Sequence, residues 1–264
     1  MPTSTTKREW KDEYTLLCER CGYVIEGLDQ SGKCPECGKP IVESLPERRV
    51  GTPWQQSPGV GSMLRTWWMT LRHPLRTLDE MQLRPIPLSR MVIKPLLLIA
   101  LLFVTFGSAQ ILFIGEVFYL AFIIFPVFMG IASIIIMIML GLTHIESLGL
   151  RTISRQRGFR ITGVISNQIV ACGAVGWAIA LAGIGHFWNV YIMTVALGES
   201  TSLDLQSAAR PVFSYGTITS LLLVVFGFLF FETFAYLGLR RLKYANRVRP
   251  ETPDEPTTDS PRTT

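Results

Sequence analysis

Polar and apolar positions are segregated along this chain. Residues 1–60 are polar and charge-rich, whereas from Pro95 to Leu142 the only formal charge is Glu116. A helix needs about 20 apolar residues to cross a hydrocarbon core of about 30 Å. Four stretches meet that requirement, at residues 94–114, 117–142, 163–183 and 212–239, with Gly115 and Glu116 as the turn between the first two. The uncharged run 163–197 is too long for one span and short for two. Residues 163–183 are therefore read as the span, and His186 to Tyr191 as a separate segment whose aromatic rings sit at headgroup level. The pattern predicts an all-α integral membrane helical bundle of four spans with a small N-terminal head.

Between head and first span, Leu64, Trp67, Trp68, Leu71, Leu75 and Leu78 recur at helical spacing, with Arg65, Arg72, His73 and Arg76 among them. Pro74 divides this stretch into two short helices, the second with proline in its first turn. A tryptophan-rich basic segment beside a span is expected to lie in the interface against anionic lipids. Trp67, Trp68, Arg65, Arg72 and Arg76 are then the interface residues, the alternative being a helix packed on the head. The organisation is a head at 1–50, a linker and interfacial segment at 51–92, a membrane domain at 93–242 and a basic, then disordered, tail at 243–264.

Of the 264 residues, 48% are hydrophobic and 17% charged, against about 25% charged in an average soluble domain. With a mean hydropathy of +0.33, this disfavours an ordinary cytosolic enzyme. The charges also orient the chain. The loop 143–162 carries Arg151, Arg155, Arg157 and Arg160, and the segment after the last span carries Arg240, Arg241, Lys243, Arg247 and Arg249. The connection 198–211 has only Arg210. The positive-inside rule puts both basic segments and both termini in the cytoplasm, with the body in the cytoplasmic membrane. A fifth span would place the basic tail outside. Residues 1–14 contain no apolar stretch of the signal-peptide kind, so no cleavage is expected.

Four of the five cysteines form two pairs, Cys18-x2-Cys21 and Cys34-x2-Cys37, and each pair is followed by glycine (Gly22, Gly38). Paired C-x-x-C knuckles without a secretory signal point to a metal held by thiolates in a reducing compartment. Glycine accepts the positive φ that such a knuckle demands. Four thiolates complete a tetrahedral site with no open position for substrate, so structural zinc is expected, with rubredoxin-like iron and four free thiols as alternatives. Between Lys7 and Arg49 the head carries eight Lys or Arg against nine Asp or Glu. A nucleic-acid reader shows a basic face, so the expected contact of this ribbon is a protein partner and not DNA or RNA.

Chemistry inside the membrane is sparse. Glu232 is the ionisable group of the last span: it either serves a small permease as a proton or cation site, or pairs with an arginine of the 151–160 region. Asn167 and Gln168 are expected to bond between helices. Ala174, Ala178 and Ala182, with Gly176 and Ala180 on a neighbouring face, form close-packing surfaces through which spans associate within the chain or between copies. Cys172 reads as a small buried hydrophobe. No hydrolase, Walker or H-E-x-x-H pattern occurs, so an enzyme is not expected.

The run from Cys18 to Tyr23, with Gly27-Leu28 and Gly32 to Gly38, resembles the zinc-ribbon head of many uncharacterised bacterial membrane proteins. The stretch Arg157 to Arg160 leading into Gly173 to Trp177 is similar to the Yip1-like multi-span group, whose members usually have five spans. The resemblance implies a non-enzymatic membrane protein with a cytoplasmic head and a role in membrane organisation.

Overall fold

In the computed structural model, residues 12–85, 96–99, 118–198 and 203–248 are described. Among them the fold is all-helical with two isolated β-bridges. Three helical stretches are long and apolar enough to cross a membrane: Gly130–Gln156, Gly163–Thr194 and Phe213–Arg241. The expected first span falls almost wholly outside the described residues, as do the acidic and threonine-rich residues from 249 onward.

The long helices are α4 (Phe118–Gln156), α5 (Gly163–Gly173), α6 (Val175–Gly198) and α7 (Leu203–Arg241). Thr162 caps α5 through its hydroxyl, which accepts from the Ile165 N–H. Helices α5 and α6 form one apolar span interrupted only at Ala174. There the backbone stays right-handed (φ −60°, ψ −14°) and the N–H of Ala174 bonds back to Ala171 at 3.3 Å, a 3₁₀-type step. This span is the axis of the body: 72% of its apolar window is buried, against 22% for α4 and 28% for α7. The outer faces of α4 and α7 carry exposed Ile134, Ile138, Leu222 and Leu229, which suits lipid and not water.

Two sequence readings change here. The aromatic stretch His186 to Tyr191 is not a separate segment, because α6 runs through it to Gly198. No glycine-proline break or charge gives the helix a reason to stop. At 1.5 Å per residue His186 stands about 35 Å from Gly163, so the rings still reach the far face, carried on a helix. The small-residue seam is also shifted by a face. Gly176, Ala180 and Gly183, three and four residues apart, meet Gly227 and Ser220 of α7. A Cβ at Gly176 would lie 2.5 Å from the Gly227 carbonyl oxygen, so the backbones touch.

The segment read as a linker is a packed layer. It contains α1 (Pro53–Gln56), α2 (Val60–Arg72) and α3 (Pro74–Glu80), the last opening with Pro74 at its first position. Thr52 and Gln55 form a capping box on α1. Trp54, Trp67, Leu78, Met81 and Leu83 bury themselves in the same core as Ile165, Ile169 and Phe234. Helix α2 packs against α5 and α6, and α3 against α7. Residues 243–248, grouped by sequence with the tail, run beneath the cysteine-bearing head, with Ala245 and Asn246 buried.

Candidate metal centre

The two cysteine knuckles are built alike, sixteen residues apart. In the first, Cys18 N–H bonds to Tyr23 O at 2.8 Å and Gly22 N–H to Cys18 O at 2.8 Å; in the second, Cys34 N–H bonds to Lys39 O at 2.8 Å and Gly38 N–H to Cys34 O at 2.9 Å. Each knuckle is closed by an antiparallel bridge, Leu17 with Val24 and Lys33 with Pro40. Gly22 and Gly38 have φ of 79° and 71°, in the left-handed region that residues with a Cβ resist. At Gly22 a Cβ would also lie 2.9 Å from the Tyr244 ring, so this turn is both a metal knuckle and a seat for the C-terminal segment.

The knuckles bring together all four cysteines singled out by spacing. The sulfurs of Cys18, Cys21, Cys34 and Cys37 lie within 4.8 Å of one another. Cys18 Sγ is 3.5 Å from Cys37 Sγ, and Cys21 Sγ is 3.6 Å from Cys34 Sγ. A disulfide needs about 2.05 Å, whereas thiolates about 2.3 Å from a tetrahedral ion are separated by about 3.8 Å. The donor set therefore fits one metal ion. Cys18 and Cys34 are buried with Ile25 and Ile41, while Cys21 and Cys37 are half-buried. Burial raises the Cys18 thiol, but the N–H groups of Cys21 and Arg20 outweigh it and bring the pKa down to about 7. Burial pushes Cys21 and Cys37 above the usual thiol range. The lone Cys172 is buried in α5, away from this group.

A second set of buried polar groups holds the head on the body. The Arg160 guanidinium donates to the carbonyl oxygens of Thr15 and of Ala245 (3.1 Å) and to Asn246 Oδ1 (2.6 Å). Asn246 Nδ2 donates to Leu17 O at 2.7 Å and Ser44 O at 2.5 Å. Burial lowers the Arg160 pKa to about 10, which leaves it charged at neutral pH. Arg49, also buried, pairs with Glu19 at 2.8 Å and donates to the carbonyls of Leu78 (2.8 Å) and Asp79 (3.2 Å) at the end of α3, where a cation is favoured by the helix dipole. Arg241, the last residue of α7, makes a two-pronged bridge to Asp79 at 2.7 and 2.9 Å. Sequence reasoning read Arg160 only as one of a basic loop's arginines and Asn246 not at all, and passed over both as site residues.

The remaining candidates are dispersed. On α2, Trp67 is 8% exposed and lies in the core, whereas Trp68 is 64% exposed; Arg65, Arg72 and Arg76 are exposed. Asn167 Oδ1 accepts from Ser147 Oγ at 2.8 Å and from Arg151 at 3.2 Å, joining α4 to α5. Gln168 Nε2 donates to Arg84 O at 2.5 Å. Glu232 is half-buried and, among the described residues, forms no ion pair with Arg151, Arg155, Arg157 or Arg160. Comparison with family models, with curated proteins and with solved structures finds no match.

Proposed function

We propose that this chain is a membrane-anchored scaffold or adaptor whose zinc ribbon faces the cytoplasm and docks a protein partner. The observation that carries this reading is the closed four-sulfur cage held rigidly at one end of the bundle. Four thiolates use every position of a tetrahedral ion, so the metal supplies folding energy and shape. Zinc suits this donor set; iron is the competing occupant. Exposed Val24, Leu28 and Val42 give the ribbon an apolar surface, and its near-neutral charge suits a protein more than a nucleic acid.

Four spans, with both termini cytoplasmic, fit the connectivity. The loop after α4, the start of α5 and the end of α7 all meet the ribbon layer, through Arg160, Gln168 and Arg241. The described chain leaves that layer near Leu83, is seen again as a short helical turn at 96–99, and then resumes at Phe118, the opposite end of α4. The apolar stretch 94–114 lies between these points in sequence and supplies the fourth crossing. This membrane would be the cytoplasmic one. The Yip1-like resemblance implies a non-enzymatic organiser of the membrane, although members of that group usually have five spans and not four.

The test is purification in mild detergent of the natural chain beside a Leu28→Asp/Val42→Asp variant with its metal retained. A protein recovered with the first and lost from the second supports docking at the ribbon; an unchanged set of companions overturns it. A second reading, a small permease, is favoured by one observation, the half-buried carboxylate of Glu232 within the α7 span. Solute or proton uptake by reconstituted vesicles that is abolished in Glu232→Gln would establish it in place of the scaffold.

A further inference from the structure

Helices α2 and α3 are amphipathic in an unusual sense. Their inner face buries Thr66, Thr70 and Thr77 with Trp67 and Leu78, while large apolar side chains point outward. Leu64, Trp68 and Leu75 are 54%, 64% and 49% exposed, and lie within one strip whose other members are Arg65, Arg72 and Arg76. In water, such a strip would expose apolar area at about 25 cal/mol per Å² with no compensating contact.

The surroundings identify what covers it. Helix α2 packs against both α5 and α6, the two halves of the Gly163–Thr194 span, so it lies beside that span and not beyond its end. Asp79 of α3 is bonded to Arg241, where the α7 span ends. The layer that carries the strip thus flanks the Gly163–Thr194 span and is fastened to the end of the α7 span. Leucine and tryptophan side chains suit the headgroup and upper acyl region, and arginines between them suit phosphate.

We propose that the outward strip of α2 and α3 binds anionic phospholipid, with Leu64, Trp68 and Leu75 inserted at headgroup depth, Arg65 and Arg72 on phosphates, and Arg76, bonded to Glu80 at 2.7 Å, adding its charge beside them. Trp67 takes no part, since it faces the protein core. The proposal rests on the membrane reading of the long helices. It adds that the ribbon, fastened to this same layer through Arg49 and the α3 carbonyls, is held close to the leaflet.

A photoreactive benzophenone side chain is placed at position 68, and separately at 64, 70 or 138, in the full chain. The chain is reconstituted in vesicles of equal parts phosphatidylglycerol and phosphatidylcholine. Positions 68 and 64 are expected to give lipid adducts and the buried position 70 protein adducts. Among the lipid adducts at 68, phosphatidylglycerol should exceed phosphatidylcholine about fivefold, the factor equivalent to about 1 kcal/mol for one arginine near an anionic leaflet. Arg65→Gln/Arg72→Gln/Arg76→Gln should bring that ratio to about one. Protein adducts or none at 68, with lipid adducts at Ile138 on the exposed flank of α4, would overturn the proposal and leave the membrane reading intact. Equal lipid yields in the natural chain, or an excess that survives the triple variant, would overturn it too. Failure of position 138 to reach lipid would overturn the membrane reading together with the proposal.

Discussion

Asn246 and Leu17 are 229 residues apart, yet the side-chain amide of Asn246 accepts from the Leu17 N–H at 2.9 Å and donates to the Leu17 carbonyl at 2.7 Å. The side chain stands where a neighbouring strand's peptide group would stand, and so completes the edge of the first cysteine knuckle. Because Arg160 donates to the same amide oxygen at 2.6 Å, one residue joins the ribbon, the α4–α5 loop and the segment after α7.

Removing that amide should release the head without unfolding the spans. Asn246→Ala leaves the buried Leu17 peptide group, the Ser44 carbonyl and part of the Arg160 guanidinium without partners, at about 1–3 kcal/mol for each orphaned group. The expected result is cleavage between ribbon and α1 under limited proteolysis at least about tenfold faster, with metal content and helical signal kept. Proteolysis indistinguishable from the natural chain would show that Arg49, together with Arg247, which bonds to Glu13 at 2.8 Å, holds the head without Asn246.

Metal binding should weaken as pH falls. In the metal-free ribbon the Cys18 pKa is about 7, below its usual value of 9.0. Its thiolate therefore contributes stability that is fully present above 9.0 and lost as pH drops through about 7. Cys21 and Cys37 are shifted the other way and are protonated at neutral pH, so the ion must displace at least those protons. Zinc affinity, measured by competition with a chromophoric chelator, is expected to fall about a hundredfold per pH unit near pH 8 and more steeply below about pH 7. A flat profile over that range would mean that the thiols are not the ligands.

How much of this was legible depended on distance along the chain. The cage was readable because C-x-x-C-G is local: spacing and glycine fix the turn before anything else packs. The apolar belts of α4, α5 to α6 and α7 were readable because twenty consecutive apolar residues have few other uses. The docking of the ribbon was not, since Asn246 follows a run of basic residues that looks like any juxtamembrane tail, and nothing near Arg160 marks it as buried. The two tryptophans of α2 were split for a related reason. Helical periodicity shows that positions 67 and 68 adjoin a stripe, but only the position of α5 and α6 decides which one is inside.

The α6–α7 seam should tolerate no side chain larger than the ones it has. At Gly176 a Cβ meets the Gly227 oxygen at 2.5 Å and the Phe231 Cβ at 3.0 Å, both on a neighbouring helix that cannot yield locally. Gly176→Leu is expected to cost several kcal/mol, beyond the 1–3 kcal/mol of ordinary overpacking. Gly141→Leu, on a part of α4 with nothing within 4 Å, should be neutral or gain up to about 1 kcal/mol from helix propensity. Thermal unfolding in detergent compares the two; equal midpoints would mean that the helices are not in backbone contact.

The proposed orientation, with the ribbon in the cytoplasm, can be read with a thiol reagent that does not cross membranes. The probe position matters. Ser154 is fully buried, donating to Phe159 O at 3.0 Å and accepting from the Ile161 N–H at 3.1 Å, so a cysteine there would be silent on either side of the bilayer. Arg155, next to it, is exposed and forms no ion pair among the described residues. Arg155→Cys should resist the reagent in intact cells and react after permeabilisation, whereas Ser202→Cys in the α6–α7 connection should react from outside. The native thiols give little background: Cys172 is buried, and the other four belong to the metal cage, which the proposed orientation puts on the protected side. Labelling of position 155 but not 202 in intact cells would invert the chain and place the ribbon outside, where the positive-inside rule argues it cannot be.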